Sequence, residues 1–406
     1  MQGKRATTDS VRYRPQLDGI RAVSIMLVLI QHVMGTTRFY AGATGVALFF
    51  ALSGYLITGV LLDELARDRL SLPRFYLRRT ARLLPGLVAM LSAGSLLLLL
   101  GGAGQYLDDV VPSLLYVNNY ASILAGPTHL NLAFGHTWSL AVEEHFYLLW
   151  PLALIAMRRR AGLRGVLLGT LGLCLAALLY RAVLIATVHP SAPFFYFDSG
   201  ARVDSILYGC AACVAVRVGW RPSGRHLAAA LVLLSGYLLA NRLLIGELLG
   251  SLVSGMACAV VVASVDHAPD LPTVRGLLGA RPLRRLGERS YSVYLWHLPV
   301  IAYAIADANL DRPWLRAVAA LFSLPIAFAS YRWIESPVRA IVRRWSERRR
   351  APAAWEPPAR SPAVDEALAR SGQASSSVPT VPRDVQVLPG RDTTTRAARH
   401  YARSKP

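Results

Sequence analysis

Cysteine is sparse in this chain. There are four in 406 residues, Cys174, Cys210, Cys213 and Cys258, and each lies inside an apolar run. That distribution offers no disulfide framework and no metal motif. Cys210 and Cys213 form a C-x-x-C, but within one continuous apolar helix such a pair reads as small packing residues rather than a redox couple. Charge is sparse too, at 17% of residues, and it is lopsided: 24 Asp and Glu stand against 44 Lys and Arg, for a net charge of +20. No nucleic-acid-binding motif accompanies this surplus, which is spread among short loops and a low-complexity tail, so nucleic acid is not expected as a partner. Matching pairs of Gly/Pro-broken apolar segments, the mark of many carriers, are absent. No small-residue cleavage site follows the basic N-terminus (Lys4, Arg5, Arg12, Arg14) and the first apolar run. That run is therefore expected to remain as a membrane helix rather than leave as a signal peptide.

Apolar sequence is what the chain has in abundance. Hydrophobic residues make up 54%, and roughly 18–20 mostly apolar residues suffice to cross a bilayer. Runs of about that length lie near 17–37, 44–63, 83–102, 138–157, 164–185, 203–217, 226–242, 247–265, 290–307 and 314–334. They predict an all-α, multi-pass protein of the cytoplasmic membrane with about ten transmembrane helices. Basic clusters fall in alternate loops: Arg67 to Arg82, Arg158 to Arg164, Arg217 to Arg225, and Arg275 to Arg289. The segment from about 103 to 137 has no Lys or Arg at all. The bias toward basic cytoplasmic loops then puts both termini inside. Residues 1–16 read as a basic cytoplasmic N-terminus, 17–340 as the membrane domain, and 341–406, rich in Arg, Pro, Ala and Ser, as a disordered basic cytoplasmic tail. The start of that tail, "RRWSERRR", suits anionic lipid headgroups or serves only as a topology signal.

Ionisable residues inside such runs are costly, and so are functional candidates. In "LDGIRAVSIMLVLIQH", Arg21 and His32 are eleven residues apart. At about 100° and 1.5 Å per residue they project from one helix face, roughly 16 Å apart along the axis. Asp18, one turn before Arg21, can pair with it. "HTWSLAVEEHFYLLWP" carries Glu143 and Glu144, which the segment boundaries put at the depth of His32. One of them is expected to orient His32 as a general base. "FYLRRTARLLP" brings Arg78, Arg79 and Arg82 before Pro85, a fork suited to phosphates or a topology anchor. In "GARVDSILYG", Arg202 and Asp204 either pair with each other or contact an acceptor sugar; Trp138 and Ser139 join them as candidate acceptor-binding residues. Ser53 and Gly54 in "GVALFFALSGYLI" read as close helix packing. His297 in "SYSVYLWHLPV" reads as a packing histidine rather than a second base.

Together, the R-x10-H spacing of Arg21 and His32, "FFALSGYLI", "RRTARLLP", "TWSLAVEEHFY", "RVDSILYG", "SYSVYLWHLP" and "YRWIESPVR" resemble, in order, the membrane acyltransferase 3 family. The resemblance covers nearly all of the chain before the tail. It implies O-acyl transfer from cytoplasmic acyl-CoA, acetyl-CoA first, to a hydroxyl of an extracytoplasmic glycan or glycolipid. A secreted small molecule such as a macrolide sugar is the alternative acceptor, and a proton-coupled transporter is the alternative of another class. It implies His32 as catalytic base, Arg21 as its signature partner, and Arg79 and Arg82 at the CoA phosphates, with no metal. Two positions depart from the family pattern. His145 follows the paired glutamates where Gln is common, and Ala47 follows Gly45-Val46 where many members have Asp. Some members carry an extracytoplasmic hydrolase-like domain after the membrane domain; the tail here is too short and polar to be one.

Overall fold

The computed structural model describes residues 13–34, 41–102, 104–126, 133–187, 197–240, 247–305 and 312–348. Among the described residues there is no β-strand. The long helices are α1 (Pro15–Met34), α2 (Ala41–Ala66) and α3 (Leu72–Leu100), then, after the short α4 (Val110–Leu114) and α5 (Asn118–Ala125), α6 (Trp138–Thr187). They are followed by α7 (Ser199–Val218), α8 (Gly224–Ala240) and α9 (Glu247–His267), the short α10 (Pro272–Leu278) and α11 (Arg281–Glu288), and finally α12 (Ser290–Ala304), α13 (Pro313–Ser330) and α14 (Ser336–Arg348). An apolar surround leaves the backbone no external partner, so a chain of long apolar runs closes its hydrogen bonds within helices.

Each of the ten apolar runs lies largely on a helix. Two share α6, which breaks where Ala161 leaves helical geometry and Gly162 takes a φ of +66°, a conformation open to glycine at little cost. Among the described residues, six helical stretches are long and apolar enough to cross a membrane: Pro15–Met34, Ala41–Ala66, Leu72–Leu100, Gly135–Thr187, Gly250–His267 and Pro313–Ser346. The described residues are those of a helical, multi-pass membrane protein on that basis. The other apolar helices fall short for physical reasons. α12 has 15 residues and α8 has 17, against about 20 for a span, and α7 is interrupted by Arg202, Asp204 and Arg217. α14 carries helix across the boundary expected at residue 340, through Arg348. The basic residues before Arg14 and those beyond Arg348 lie outside the described residues.

The site is positioned by two close crossings. A Cβ at Gly54 of α2 would collide with the Ile206 carbonyl of α7, and one at Gly209 of α7 would collide with the Ala51 carbonyl of α2. These reciprocal glycines let the two backbones touch, and Cys210 donates to the Gly54 carbonyl across the contact. α1 is clasped the same way at its N-terminal end: Gly19 abuts Leu278 and Gly287 abuts Asp18. α3 packs against α12, α14 and a single π-helical turn, Tyr331–Glu335. The four cysteines are buried thiols, as packing residues would be.

Candidate active site

A cavity of about 80 Å³ opens among α1, α2, α3, α6 and α12, lined by Arg21, Ser53, Arg79, Arg82, Ser139, Glu143, Ser290, Tyr291 and Tyr294 together with Val46, Phe49, Phe50, Leu52, Leu83 and Leu140. That volume holds roughly half a dozen waters, so it is a small cavity. Three arginines share one lining, yet they are not alike. Arg21 Nη1 donates to Asp18 Oδ1 at 2.6 Å. Arg79 Nε donates to Glu144 Oε1 at 3.0 Å and Nη2 to Glu143 Oε2 at 3.2 Å, while its guanidinium carbon sits 3.5 Å from the Tyr147 ring centroid. Arg82 has no carboxylate partner among the described residues, and its Nε is buried without any hydrogen-bond partner. Nearby, Arg339 pairs through Nη2 with Glu335 at 2.7 Å.

The glutamates therefore do not do what the sequence suggests. The sequence sets Glu143 and Glu144 at the depth of His32 with one of them as its partner; both instead grip Arg79, and Glu143 Oε1 also accepts from Ser53 at 2.8 Å. A guanidinium brought into an apolar bundle needs carboxylates more than a neutral imidazole does, because an unpaired buried charge is very costly. Arg78, grouped with Arg79 and Arg82 for phosphate binding, turns away from the cavity and donates to Glu64 at 2.8 Å.

Beyond the cavity lie three histidines. Tyr294 donates to the His136 carbonyl at 2.7 Å, so its oxygen accepts the Ser139 hydroxyl at 2.7 Å. The Tyr294 ring packs on His136 and His297, and His297 packs on His32 with centroids 5.0 Å apart. Tyr294 and His297 thus stand between the cavity and His32. The Nδ1 of His32 lies 2.9 Å from the Val28 carbonyl. A carbonyl only accepts, so Nδ1 carries the proton and Nε2 keeps its lone pair. The His32 carbonyl, near the C-terminal end of the described α1, accepts from Arg316 of α13 at 3.3 Å.

Of the acceptor-binding candidates, Ser139 lines the cavity. Trp138 is buried against Phe50 and Phe197, with the Arg202 guanidinium 5.7 Å from its ring. Asp204 does not take Arg202 as its partner: it is 1% exposed and pairs with Arg181 of α6 at 3.1 Å, with Ser251 donating at 3.2 Å. Arg202 and Asp204 do not line the cavity. Of the two departures from the family pattern, His145 bonds Ser199 at 3.0 Å and stacks on Tyr120, and Ala47 is simply buried. Tyr116, between α4 and α5, has its phenol pushed up by burial and by the nearby Glu144 charge.

Sequence reasoning missed Tyr291, Tyr294 and Glu335 and undervalued His136 and His297. Glu335 is fully buried and accepts from Ser292 and Arg339. Tyr291, Tyr294 and His297 recur every third residue, which makes them neighbours on the surface of one helix. That polar stripe in an apolar segment was the available signal.

These features define a class: a multi-pass helical membrane protein built around a small, arginine-lined cavity with buried histidines beyond it. A sequence model of the acyltransferase 3 family, described as an acyltransferase domain, matches residues 14–332, and the chain belongs to that family. It is 31% identical over 361 residues to the Bacillus subtilis protein YrhL, covering 82% of this chain and 56% of that one. It is 28% identical over 371 residues to the peptidoglycan O-acetyltransferase OatA of Listeria monocytogenes, 83% of this chain and 57% of that one. It is also 28% identical over 356 residues to the O-acetyltransferase OatA of Staphylococcus aureus strain NCTC 8325, 81% of this chain and 58% of that one. The chain thus spans little more than half the length of these relatives. No solved structure matches it significantly.

Proposed function

We propose that the protein is a ten-span membrane O-acetyltransferase, with both termini cytoplasmic, that moves an acetyl group from acetyl-CoA to a hydroxyl of an extracytoplasmic glycan, peptidoglycan first. The observation that carries this reading is the unequal state of the arginines: Arg82 faces a small cavity with no carboxylate partner, and its neighbours Arg21, Arg79 and Arg339 each have one. A guanidinium with no carboxylate in direct contact suits the phosphates of a CoA nucleotide. The basic loops support a cytoplasmic position for that end of the cavity, and its small volume suits a pantetheine arm rather than a nucleotide. The similarity to peptidoglycan O-acetyltransferases supports the acceptor.

In this reading the thioester passes Tyr294, which gives up its bond to Ser139, and reaches His32. The Nε2 lone pair of His32 takes the proton of the acceptor hydroxyl. The oxygen bonds to the thioester carbonyl carbon, the carbon–sulfur bond breaks, and the leaving CoA thiolate takes the proton back from the His32 imidazolium. Glu143 and Glu144 act at one remove, by holding Arg79 as part of the cavity wall. Ser139 has a place on the path, whereas Trp138, Arg202 and Asp204 support the helices around it. The protein purified in nanodiscs, given radiolabelled acetyl-CoA and peptidoglycan fragments, is expected to label the glycan. The His32→Ala protein is expected to bind acetyl-CoA and transfer nothing. Transfer by His32→Ala at the wild-type rate would overturn the base assignment, and absence of acetyl-CoA binding by folded wild type would overturn the donor.

A further inference from the structure

We infer that His297 is a positioning residue for His32, an inference that rests on His32 being the base. His297 is fully buried at the centre of α12. Its Nδ1 lies 2.7 Å from the Tyr294 carbonyl, and since that oxygen only accepts, Nδ1 carries the proton and Nε2 presents a lone pair. That lone pair lies 3.3 Å from the Nδ1 of His32. The Nδ1–H of His32 is therefore shared between the Val28 carbonyl and His297 Nε2.

Two consequences follow from this geometry. With two acceptors on its Nδ1 side, His32 is held in the tautomer whose Nε2 is unprotonated, the form a general base requires. The ring is also fixed against rotation about its last side-chain bond, because a flip would give up both acceptors. When His32 takes a proton, its Nδ1–H already faces a neutral acceptor, so no group must move to meet the new charge. The charged or titratable groups facing the pair are His136, whose ring lies 5.2 Å from that of His297, Tyr294 on α12, and Arg316 of α13, which is directed at the His32 carbonyl. No carboxylate from these elements reaches His32 among the described residues, and the role that an acid plays beside many catalytic histidines falls here to a second imidazole.

The test compares His297→Gln with His297→Leu. Glutamine can place its Oε1 where Nε2 stands and restore the acceptor; leucine fills the space and offers none. The expected result is a fall in kcat of about 10- to 100-fold for His297→Leu, an acetyl-CoA KM within about twofold of wild type, and substantial recovery in His297→Gln. Should the leucine protein not purify as a monodisperse species, His297→Asn, whose shorter amide leaves the Nε2 position empty, takes its place with the same expectation. An inactive His32→Ala alongside a wild-type kcat in His297→Leu or His297→Asn overturns this inference and leaves His32 as base. Equal loss in the glutamine and leucine proteins with unchanged donor binding also overturns it. Wild-type transfer by His32→Ala removes the reading beneath it instead.

Discussion

Arg79 of α3 and Glu144 of α6 meet Nε to Oε1 at 3.0 Å, with Glu143 on the same guanidinium and the Tyr147 ring beneath it. This contact ties α3 to α6 beside the cavity and explains why adjacent glutamates, pointing about 100° apart on a helix, are both used: one arginine fork spans the two. Removing the arginine would leave two carboxylates in an apolar bundle. Arg79→Ala is expected to cost about 3–5 kcal/mol, the range for stranding a buried charge, seen as a large drop in thermal unfolding temperature in detergent. An Arg79→Ala protein of wild-type stability would show that the pair is not what holds these helices together.

Arg82 should behave in the opposite way. It has no carboxylate to abandon and its Nε is unpartnered, so Arg82→Ala is expected to leave the unfolding temperature unchanged or raise it. Its acetyl-CoA affinity should fall about tenfold or more, the scale of a lost charge-assisted contact of about 1.5–3 kcal/mol. Titration calorimetry with acetyl-CoA and with acetyl-pantetheine separates the causes. The variant should lose its preference for the nucleotide-bearing donor, and an unaltered preference would place the phosphates elsewhere.

The helices were legible because they depend on local composition, and every apolar run marked one. The break in α6 was visible as a gap between two runs around Arg158 to Arg164, and Gly162 supplies its geometry. Partner choice was not legible. Asp18 and Arg21 sit three residues apart on one helix and could be paired from spacing alone. The partners of Glu143 and Asp204 come from other helices, and their identity depends on tilt and depth, which no spacing encodes. Depth estimated from segment ends sets Glu143 and Glu144 level with His32, whereas an arginine side chain is long enough to draw carboxylates to itself from another level. Glu335 entered only within a resembling motif, since its partners Ser292 and Arg339 reach it through the π-helical turn.

Gly54 provides a test of the crossing that positions Ser53 against Glu143. A side chain there meets the Ile206 carbonyl of α7 head on, whereas at Gly59, five residues further along α2, the nearest atoms to an added Cβ are the Arg217 Nη2 at 3.5 Å and the Cys213 Sγ at 3.6 Å. Gly59→Ala is expected to be neutral or stabilising by up to about 1 kcal/mol, through helix propensity. Gly54→Val must separate the helices, at about 1–3 kcal/mol or more, and should lower acetyl transfer by moving Ser53 off Glu143. Equal unfolding temperatures for the two proteins would mean that α2 and α7 do not cross at these glycines.

The Glu335–Arg339 pair lets burial decide which partner matters more. Glu335 is 0% exposed, whereas the Arg339 side chain is 27% exposed. Glu335→Gln leaves a guanidinium that can turn toward water and keeps an amide oxygen for Ser292, so a loss of about 1–3 kcal/mol is expected. Arg339→Gln strands the carboxylate between Gly86 of α3 and Ser292 of α12 with no route to solvent, and about 3–5 kcal/mol is expected. Thermal unfolding of the two variants in the same detergent should therefore rank Arg339→Gln as clearly less stable. The reverse order would mean that Glu335 is protonated in the folded protein, with Ser292 and Arg339 bonded to a neutral acid.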